Sequence, residues 1–159
     1  MPVTETDFGL DKLLKGFQKP KSAAVHIGVF GDGAQREDDE GIDNVLLAAV
    51  HEFGRRDGSI PSRSFLRATI IENRRKYARM FEHFIKRFGG DPAGIRKTLD
   101  AMGLQVVGDV QKKISDGIKP RLEDSTLKAK KRRFGKESTT PLVATGDLRQ
   151  SIASKVVNT

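Results

Sequence analysis

The stretch DPAGIRKTLDAMGLQVVGDVQKKISDG, residues 91–117, predicts a long helix with one buried face. Asp91 and Pro92 are typical of an N-cap and a first helical position, and Asp116 with Gly117 marks the expected end. Between these ends, apolar residues recur at steps of three or four, as one face of a helix requires. They are Ile95, Leu99, Met102, Val106, Val110 and Ile114.

A second long helix is predicted over residues 65–88, directly before the first. Gly89 and Gly90 separate the two helices, and Arg and Lys residues occupy many positions outside the apolar stripe. The stripe has helical spacing. It consists of Leu66, Ile70, Tyr77, Phe81, Phe84, Ile85 and Phe88.

Shorter elements are predicted on both sides of the long helices. The β-branched run at 24–30 and the segment 152–157 favour strands. Helices are expected over 7–17 and 45–52, the latter with Asn44 as its N-cap. This order predicts an α+β domain, in which a small, mostly antiparallel sheet packs against two long helices and shorter ones.

Residues 118–140 lose the periodic pattern, because isolated apolar residues stand there among basic and polar ones. We therefore predict an extended arm or long loop at 118–140. The chain of 159 residues has the length of one domain, since domains run to roughly 100–200 residues. We expect a single domain over residues 1–159 that contains this arm.

Charge is segregated along the chain. The net charge is −5 over residues 32–43, +7 over 63–97 and +6 over 119–136, within a formal total of +8. Such blocks favour complementary contacts, either between copies or with a partner, although each is also compatible with a solvated face. No apolar run approaches the roughly 18–20 residues of a membrane span, and no signal peptide opens the chain, so no membrane association is expected.

Residues that could carry catalysis or bind metal are few. The chain has no cysteine, which excludes thiol catalysis, cysteine-based zinc sites and disulfides. His26, His51 and His83 form no metal-binding pair, and the first two are expected to be hydrogen-bonded structural residues. The acidic run at 38–40 lacks the spacing of a calcium loop, and no glycine-rich phosphate loop is present. We expect no enzyme activity, no metal and no cofactor.

A dense basic run, KAKKRR at 128–133, is extended by Lys136. Such a run neutralises backbone phosphates, but only Phe134 beside it could stack on a base. Sequence-specific reading of DNA is therefore not expected. Non-specific contact with DNA and docking on an acidic protein surface both remain open.

Two motifs, VHEFG at 50–54 and IPSRSFLR at 60–67, resemble those of the tail-completion proteins of tailed bacteriophages, also called neck or virion-morphogenesis proteins. In that family a helix ends in an H-E-F-G-like tetrapeptide, and a loop leads to an I-P-x-R-x-F-L-R segment that opens a long helix. Two further family elements, I-x-x-G-x-x-P-x-L-x-x-S-T and P-L-x-x-T-G-x-L-x-x-S-I, have counterparts at 114–126 and 141–152. The motif residues are Glu52, Phe53, Gly54, Pro61, Arg63, Phe65, Leu66, Leu142, Thr145, Gly146, Leu148 and Ile152.

This sequence departs from the family pattern at Ser64 and Ala144, where the family usually has Pro and Asp. The motif residues are expected to preserve the fold rather than to contact a neighbour. Gly54 is suited to a positive-φ helix stop, and Thr145 is suited to cap the helix that presents Leu148 and Ile152. Pro61 would fix the start of the next helix, with Phe65 and Leu66 anchoring its first turn in the core.

The resemblance implies a structural virion protein, assembled in the bacterial cytoplasm, that acts in the neck of the particle. It would form a hexameric ring between the head connector and the tail tube or terminator, with genomic DNA passing through the lumen. The rival hypotheses are another phage connector or tail-terminator component, and a small non-specific DNA-binding protein.

The expected docking surfaces follow the charge blocks. We predict that the basic arm pairs with acidic surface, either the 32–43 segment of an adjacent copy or a partner ring. The residues expected to take part are Lys128, Lys130, Lys131, Arg132, Arg133 and Lys136 on the basic side, with Asp38, Asp39 and Glu40 on the acidic side.

Overall fold

The computed structural model describes residues 23–31, 43–134 and 146–158. In chain order, the elements in these ranges are β1 (Ala23–Val29), α1 (Asn44–Phe53), α2 (Leu66–Phe88), α3 (Pro92–Asp116), α4 (Asp124–Phe134), α5 (Asp147–Gln150) and β2 (Ile152–Asn158). The helix predicted over 7–17 lies outside the described residues.

The two strands β1 and β2 pair in antiparallel fashion, with Ala23 opposite Asn158 and Val29 opposite Ile152. Because these strands are the first and last described elements, the sheet joins the two ends of the described chain. Helix α3 packs against both strands and also against α2. The predicted α+β class, with a small antiparallel sheet against long helices, is confirmed.

Helix α3 provides most of the core. Its second half buries the predicted face, and Val110 and Ile114 are completely inaccessible to solvent. In its first half the buried residues are Gly94 and Thr98, whereas the predicted Ile95 and Leu99 are only half-buried. The first turn lies so close to the end of α2 that a side chain at Gly94 would collide with backbone carbonyls. The buried line therefore begins one residue earlier than the apolar pattern indicates.

Helix α2 packs against α3 along a narrow seam of residues spaced three or four apart. Ile70 and Phe81, which were predicted to belong to the buried stripe, are 40% and 43% exposed. A seam one residue wide cannot cover a stripe as broad as the predicted one. The residues along the seam are Thr69, Asn73, Tyr77, Met80 and Phe84.

Helix ends follow the predicted signals with one correction. Asp91 caps α3 by accepting from the N–H of Gly94, as its position predicts. Helix α1, however, is capped by Asp43, whose carboxylate accepts from the N–H of Leu46 at 2.7 Å. Asn44, the predicted cap, is the first helical residue and is buried. An aspartate one position earlier has the extended backbone that an N-cap requires.

The prediction of an arm or loop over 118–140 is wrong in its middle part. Residues 118–123 are irregular, as predicted, but Asp124–Phe134 form the helix α4, and 135–140 lie outside the described residues. Asp124 supplies an acidic residue in the first turn, and the Lys, Ala and Arg residues that follow are good helix formers. The segment has no periodic apolar pattern, so its helix follows from the helix propensities of its own residues.

Candidate functional site

The two motifs that resemble the phage proteins meet at the carboxylate of Glu52, in the last turn of α1. This side chain is 6% exposed. It accepts hydrogen bonds from the N–H groups of Phe65, Leu66 and Arg67 at 2.9, 3.0 and 3.1 Å, and from the Ser64 hydroxyl at 2.7 Å. The first N–H groups of a helix have no partner within it. Glu52 thus caps α2 from another helix, and we call Glu52 with residues 64–67 the capping joint.

The contacts of the capping joint also determine the ionisation of the Glu52 carboxyl. Burial raises the pKa of this carboxyl, but hydrogen bonds from the Leu66 N–H, the Ser64 hydroxyl and Arg67 outweigh burial and leave the pKa below its ordinary value of 4.5. The Arg67 guanidinium donates to the same carboxylate at 2.9 Å. The N-terminus of α2 adds the positive end of its helix dipole. The carboxylate is therefore ionised at neutral pH.

The loop between α1 and α2 folds back onto the end of α1. Gly54 has a φ of 76°, and a Cβ there would lie 2.8 Å from the backbone nitrogen of Ser62. The Ser62 hydroxyl donates to the Glu52 carbonyl at 3.0 Å. Gly54 is thus needed both for its backbone angle and for the close approach of the loop. Pro61 beside it is exposed.

Arg63 connects α1 to the segment that leads into α4. Its backbone N–H donates to the carbonyl of His51 at 2.7 Å. Its guanidinium, buried with the rest of the residue, donates to the carbonyls of Pro120 and Arg121 at 2.9 and 3.3 Å. Only an arginine offers several donors in one fixed plane. Arg63 therefore fixes the root of α4 to the capping joint.

Other motif residues divide between core and surface. Phe65 is buried as predicted and Leu66 packs half-buried against the core. Phe53 is 65% exposed, with the Arg67 guanidinium 4.6 Å from its ring centre. Arg67 and Phe53 thus place an aromatic surface beside the joint. Phe53 is not a core residue.

The C-terminal motif anchors the end of the fold. Leu148 and Ile152 are buried, at either end of the turn that joins α5 to β2. Gly146, with a φ of 94°, occupies the N-cap position of α5. Thr145 was predicted to cap this helix, but the cap position falls one residue later, where only a residue tolerant of positive φ fits. Thr145 and Leu142 lie outside the described residues.

The predicted docking residues are described only in part. Lys128, Lys131 and Arg132 are exposed and lie on one side of α4, at positions i, i+3 and i+4. The side chains of Lys130 and Arg133 are outside the described part of α4. Lys136 and the acidic residues Asp38, Asp39 and Glu40 also lie outside the described residues, so the predicted pairing between arm and acidic segment stays a prediction.

The first two histidines lie in different environments. His51 is half-buried, and its carbonyl accepts from Arg63, whereas His26 is exposed on the sheet face opposite Lys155. Strand β1 turns His26 away from α3, because alternate residues of a strand point to opposite faces. A hydrogen-bonded structural role for His26 stays a prediction.

A polar cluster between α2 and α3 was not predicted from the sequence. Asp109 accepts from the Tyr77 hydroxyl at 2.9 Å, from Lys76 at 2.6 Å and from Gln105 at 3.1 Å. Burial and the Asp109 carboxylate raise the pKa of Tyr77. Burial alone would raise the pKa of Asp109, but its three hydrogen-bond donors lower it. The cluster links α2 to α3. Its only signal in the sequence was the polar hydroxyl of Tyr77 within the apolar stripe of α2.

Within the three described ranges, no group of histidine and carboxylate side chains converges as a metal site would require. None of the helices in the same ranges combines the length and the apolar character needed to cross a membrane. No family model, curated protein or solved structure matches the chain.

Proposed function

We propose that this chain is a structural virion protein of a tailed bacteriophage, a tail-completion or neck protein whose ring joins the DNA-filled head to the tail. The observation that supports the proposal is the capping joint. The H-E-F-G and I-P-x-R-x-F-L-R motifs are separated by a loop, yet Glu52 of the first accepts from the backbone of residues 65–67 in the second. The motifs that carry the resemblance therefore form one structural unit.

The unit has a use in such a ring. It fixes α1, the start of α2 and the root of α4 relative to one another through Glu52 and Arg63. A ring protein must hold the surfaces that meet its two neighbours at a constant angle, because small angular errors prevent closure. The motif residues would thus act by positioning contact surfaces rather than by making contacts themselves.

The experiment is deletion of the gene from a tailed phage that carries it. We expect full heads and finished tails that remain separate in electron micrographs, and we expect joining to be restored when the protein is supplied from a plasmid. Heads that lose their DNA, or tails of uncontrolled length, would instead indicate a connector or tail-terminator role. Normal infectious particles would contradict all three.

Non-specific DNA binding is a second candidate because Lys128, Lys131 and Arg132 are exposed along one side of α4. Such a helix would bind duplex DNA with an affinity that falls steeply as salt rises. A gel-shift titration at several salt concentrations tests it, with a charge-reversed α4 as the control. Retention of the shift by that variant would show that α4 is not the element that binds DNA.

A further inference from the structure

Helix α1 leaves an apolar stripe uncovered. Leu46, Ala49 and Phe53 are exposed at positions i, i+3 and i+7, and the side chains of Leu46 and Phe53 are 53% and 65% exposed. Residues at this spacing form one continuous face. The opposite side of α1 meets β1 and α5. Contiguous exposed apolar patches, unlike single exposed apolar residues, mark protein contacts.

Helix α4 also makes few contacts with the other elements of the described chain. Beyond isolated contacts it packs against no other helix or strand of the described chain. It has 11 residues, and isolated helices shorter than roughly 12–15 residues are only marginally stable in water. Leu127 is its half-buried apolar residue, next to the exposed basic side. Docking on another surface would stabilise this helix.

The charges next to these two faces are opposite in sign. Helix α4 carries five basic residues against Asp124, a net charge of +4. The stripe on α1 begins three residues after Asp43, the last residue of the acidic segment 32–43, whose net charge is −5. A basic helix with an apolar edge is thus complementary to an apolar face that adjoins an acidic segment.

We propose that α4 of one copy docks on the exposed face of α1 in a second copy of the same chain. The contact is head-to-tail, since each copy contributes α4 on one side and α1 on the other. Such heterologous contacts form rings when the rotation between copies closes. The inference deepens the proposed function by naming the surfaces on which its ring would be built.

Within one copy, α4 and α1 do not pack on each other. Arg63 holds the segment before α4 near the C-terminal end of α1, because its backbone N–H donates to the His51 carbonyl and its guanidinium donates to the carbonyls of Pro120 and Arg121. Beyond isolated contacts, α4 and α1 do not meet in the described chain. Both exposed faces are available to a second copy.

The test combines two variants that each lack one surface. The first carries Leu46→Asp and Phe53→Asp on α1, and the second carries Lys128→Glu, Lys131→Glu and Arg132→Glu on α4. Molar mass is measured by light scattering after size-exclusion chromatography. We expect the wild type to self-associate, each variant alone to be monomeric, and an equimolar mixture of the two to form one-to-one dimers and nothing larger.

The control variants change the same kinds of residue elsewhere. Leu104→Asp alters a leucine on α3 that is 72% exposed, and Lys86→Glu with Arg87→Glu reverses charge at the end of α2. Both are expected to assemble like the wild type. In the α1 variant, association is expected to weaken roughly 30-fold or more, as loss of an interface anchor does. Circular dichroism of every variant checks that the fold is retained.

Each other outcome contradicts the inference. A wild type that stays monomeric up to its solubility limit excludes the contact, and cross-links from α4 to α1 within that monomer would show docking inside one copy. An α4 variant that still associates would exclude α4 from the contact. The α1 faces would then pair with each other, and DNA binding would be the remaining role for α4. An α1 variant that still associates excludes α1 as the receiving face. Separated heads and tails in the gene deletion would leave the proposed function standing in all of these cases.

Discussion

At the scale of single residues, Glu52 and Arg63 do the most to define the molecule. Both are buried and charged, and both satisfy backbone groups that secondary structure leaves without partners. Glu52 accepts from the first turn of α2, and Arg63 donates to the carbonyls of the segment before α4. Buried charges are tolerated when they are fully hydrogen-bonded. Removing one partner leaves the other buried without a hydrogen bond, which lowers the stability of the fold.

Glu52→Gln is therefore expected to destabilise the protein by about 2–4 kcal/mol. A glutamine amide has only one acceptor oxygen. Either the Phe65 and Leu66 N–H groups therefore lose their acceptor, or the Arg67 N–H, the Ser64 hydroxyl and the Arg67 guanidinium lose theirs, at about 1–3 kcal/mol for each buried donor. The measurement is urea unfolding followed by circular dichroism at pH 7. Glu82→Gln on the exposed side of α2 is the control and should leave the unfolding midpoint unchanged. Equal effects of the two substitutions would disprove the capping role.

The same carboxylate predicts a pH dependence. Because the pKa of Glu52 is lowered on folding, its contribution is fully present above about 4.5 and is lost as the pH falls through the folded-state value. The difference in unfolding free energy between the wild type and Glu52→Gln should thus shrink as the pH falls from 7 towards roughly 3. Denaturant titrations across this range measure it. A constant difference would mean that the Glu52 charge contributes nothing.

At the scale of elements, the close packing of α3 on the sheet depends on a glycine. A Cβ at Gly103 would lie 2.7 Å from the Ser154 side chain in β2 and 3.0 Å from Val25 in β1. The Ser154 side chain would have to shift to admit a methyl group, and the Val25 side chain would have to give slightly. Gly108, one and a half turns along the same helix, has open space around it.

These two glycines give opposite predictions for the same substitution. Gly103→Ala is expected to cost about 1–3 kcal/mol through overpacking against β2. Gly108→Ala should add about 0.5–1 kcal/mol, because alanine is the better helix former. Thermal unfolding of both variants tests the pair. A stabilised Gly103→Ala would show that α3 does not approach the sheet as closely as described.

Arg63→Lys tests the connection between α1 and the segment that leads into α4. An ammonium group cannot donate to the Pro120 and Arg121 carbonyls in the planar geometry of a guanidinium. We expect amide hydrogen exchange in residues 118–134 to rise roughly tenfold, the equivalent of one lost charged hydrogen bond. The control is Arg55→Lys, at an exposed arginine of the preceding loop. Unchanged exchange in both variants would show that Arg63 does not stabilise residues 118–134.

The elements were predictable from sequence to the extent that apolar spacing and punctuation specify them. The apolar periodicity, the Asp91–Pro92 start and the glycine stops predicted the two long helices, and the β-branched run at 24–30 and the segment 152–157 predicted the strands. All four elements are present. Helix α4 was missed because its charged residues carry no apolar period, so only helix propensity could have indicated it. The exposure of Ile70 and Phe81 depends on the width of the contact between α2 and α3. The spacing of apolar residues in the sequence does not reveal that width.

The candidate site was predictable in its members but not in its chemistry. The resemblance singled out Glu52, Gly54 and Arg63 as fold-preserving residues, and each one holds the joint between α1, α2 and the arm. That a carboxylate in α1 would cap α2 requires knowing how two helices meet. The Tyr77–Asp109 cluster was missed for the same reason, since its members are 32 residues apart.

At the scale of the whole molecule, the charge blocks and the uncovered helix faces point in one direction. Helix α4 carries positive charge away from the core, and the stripe on α1 adjoins the acidic segment. The rigid joint between them sets the angle at which one copy would meet the next. The proposed ring at the junction of head and tail would unite these features with the phage-like motifs.

Cryo-electron microscopy of virions from a tailed phage that carries this gene tests the central proposal most directly. We expect a ring of this chain between the head connector and the tail tube, with α4 of each copy against α1 of the next. Absence of the chain from purified virions, or its location anywhere other than the neck, would contradict the proposal.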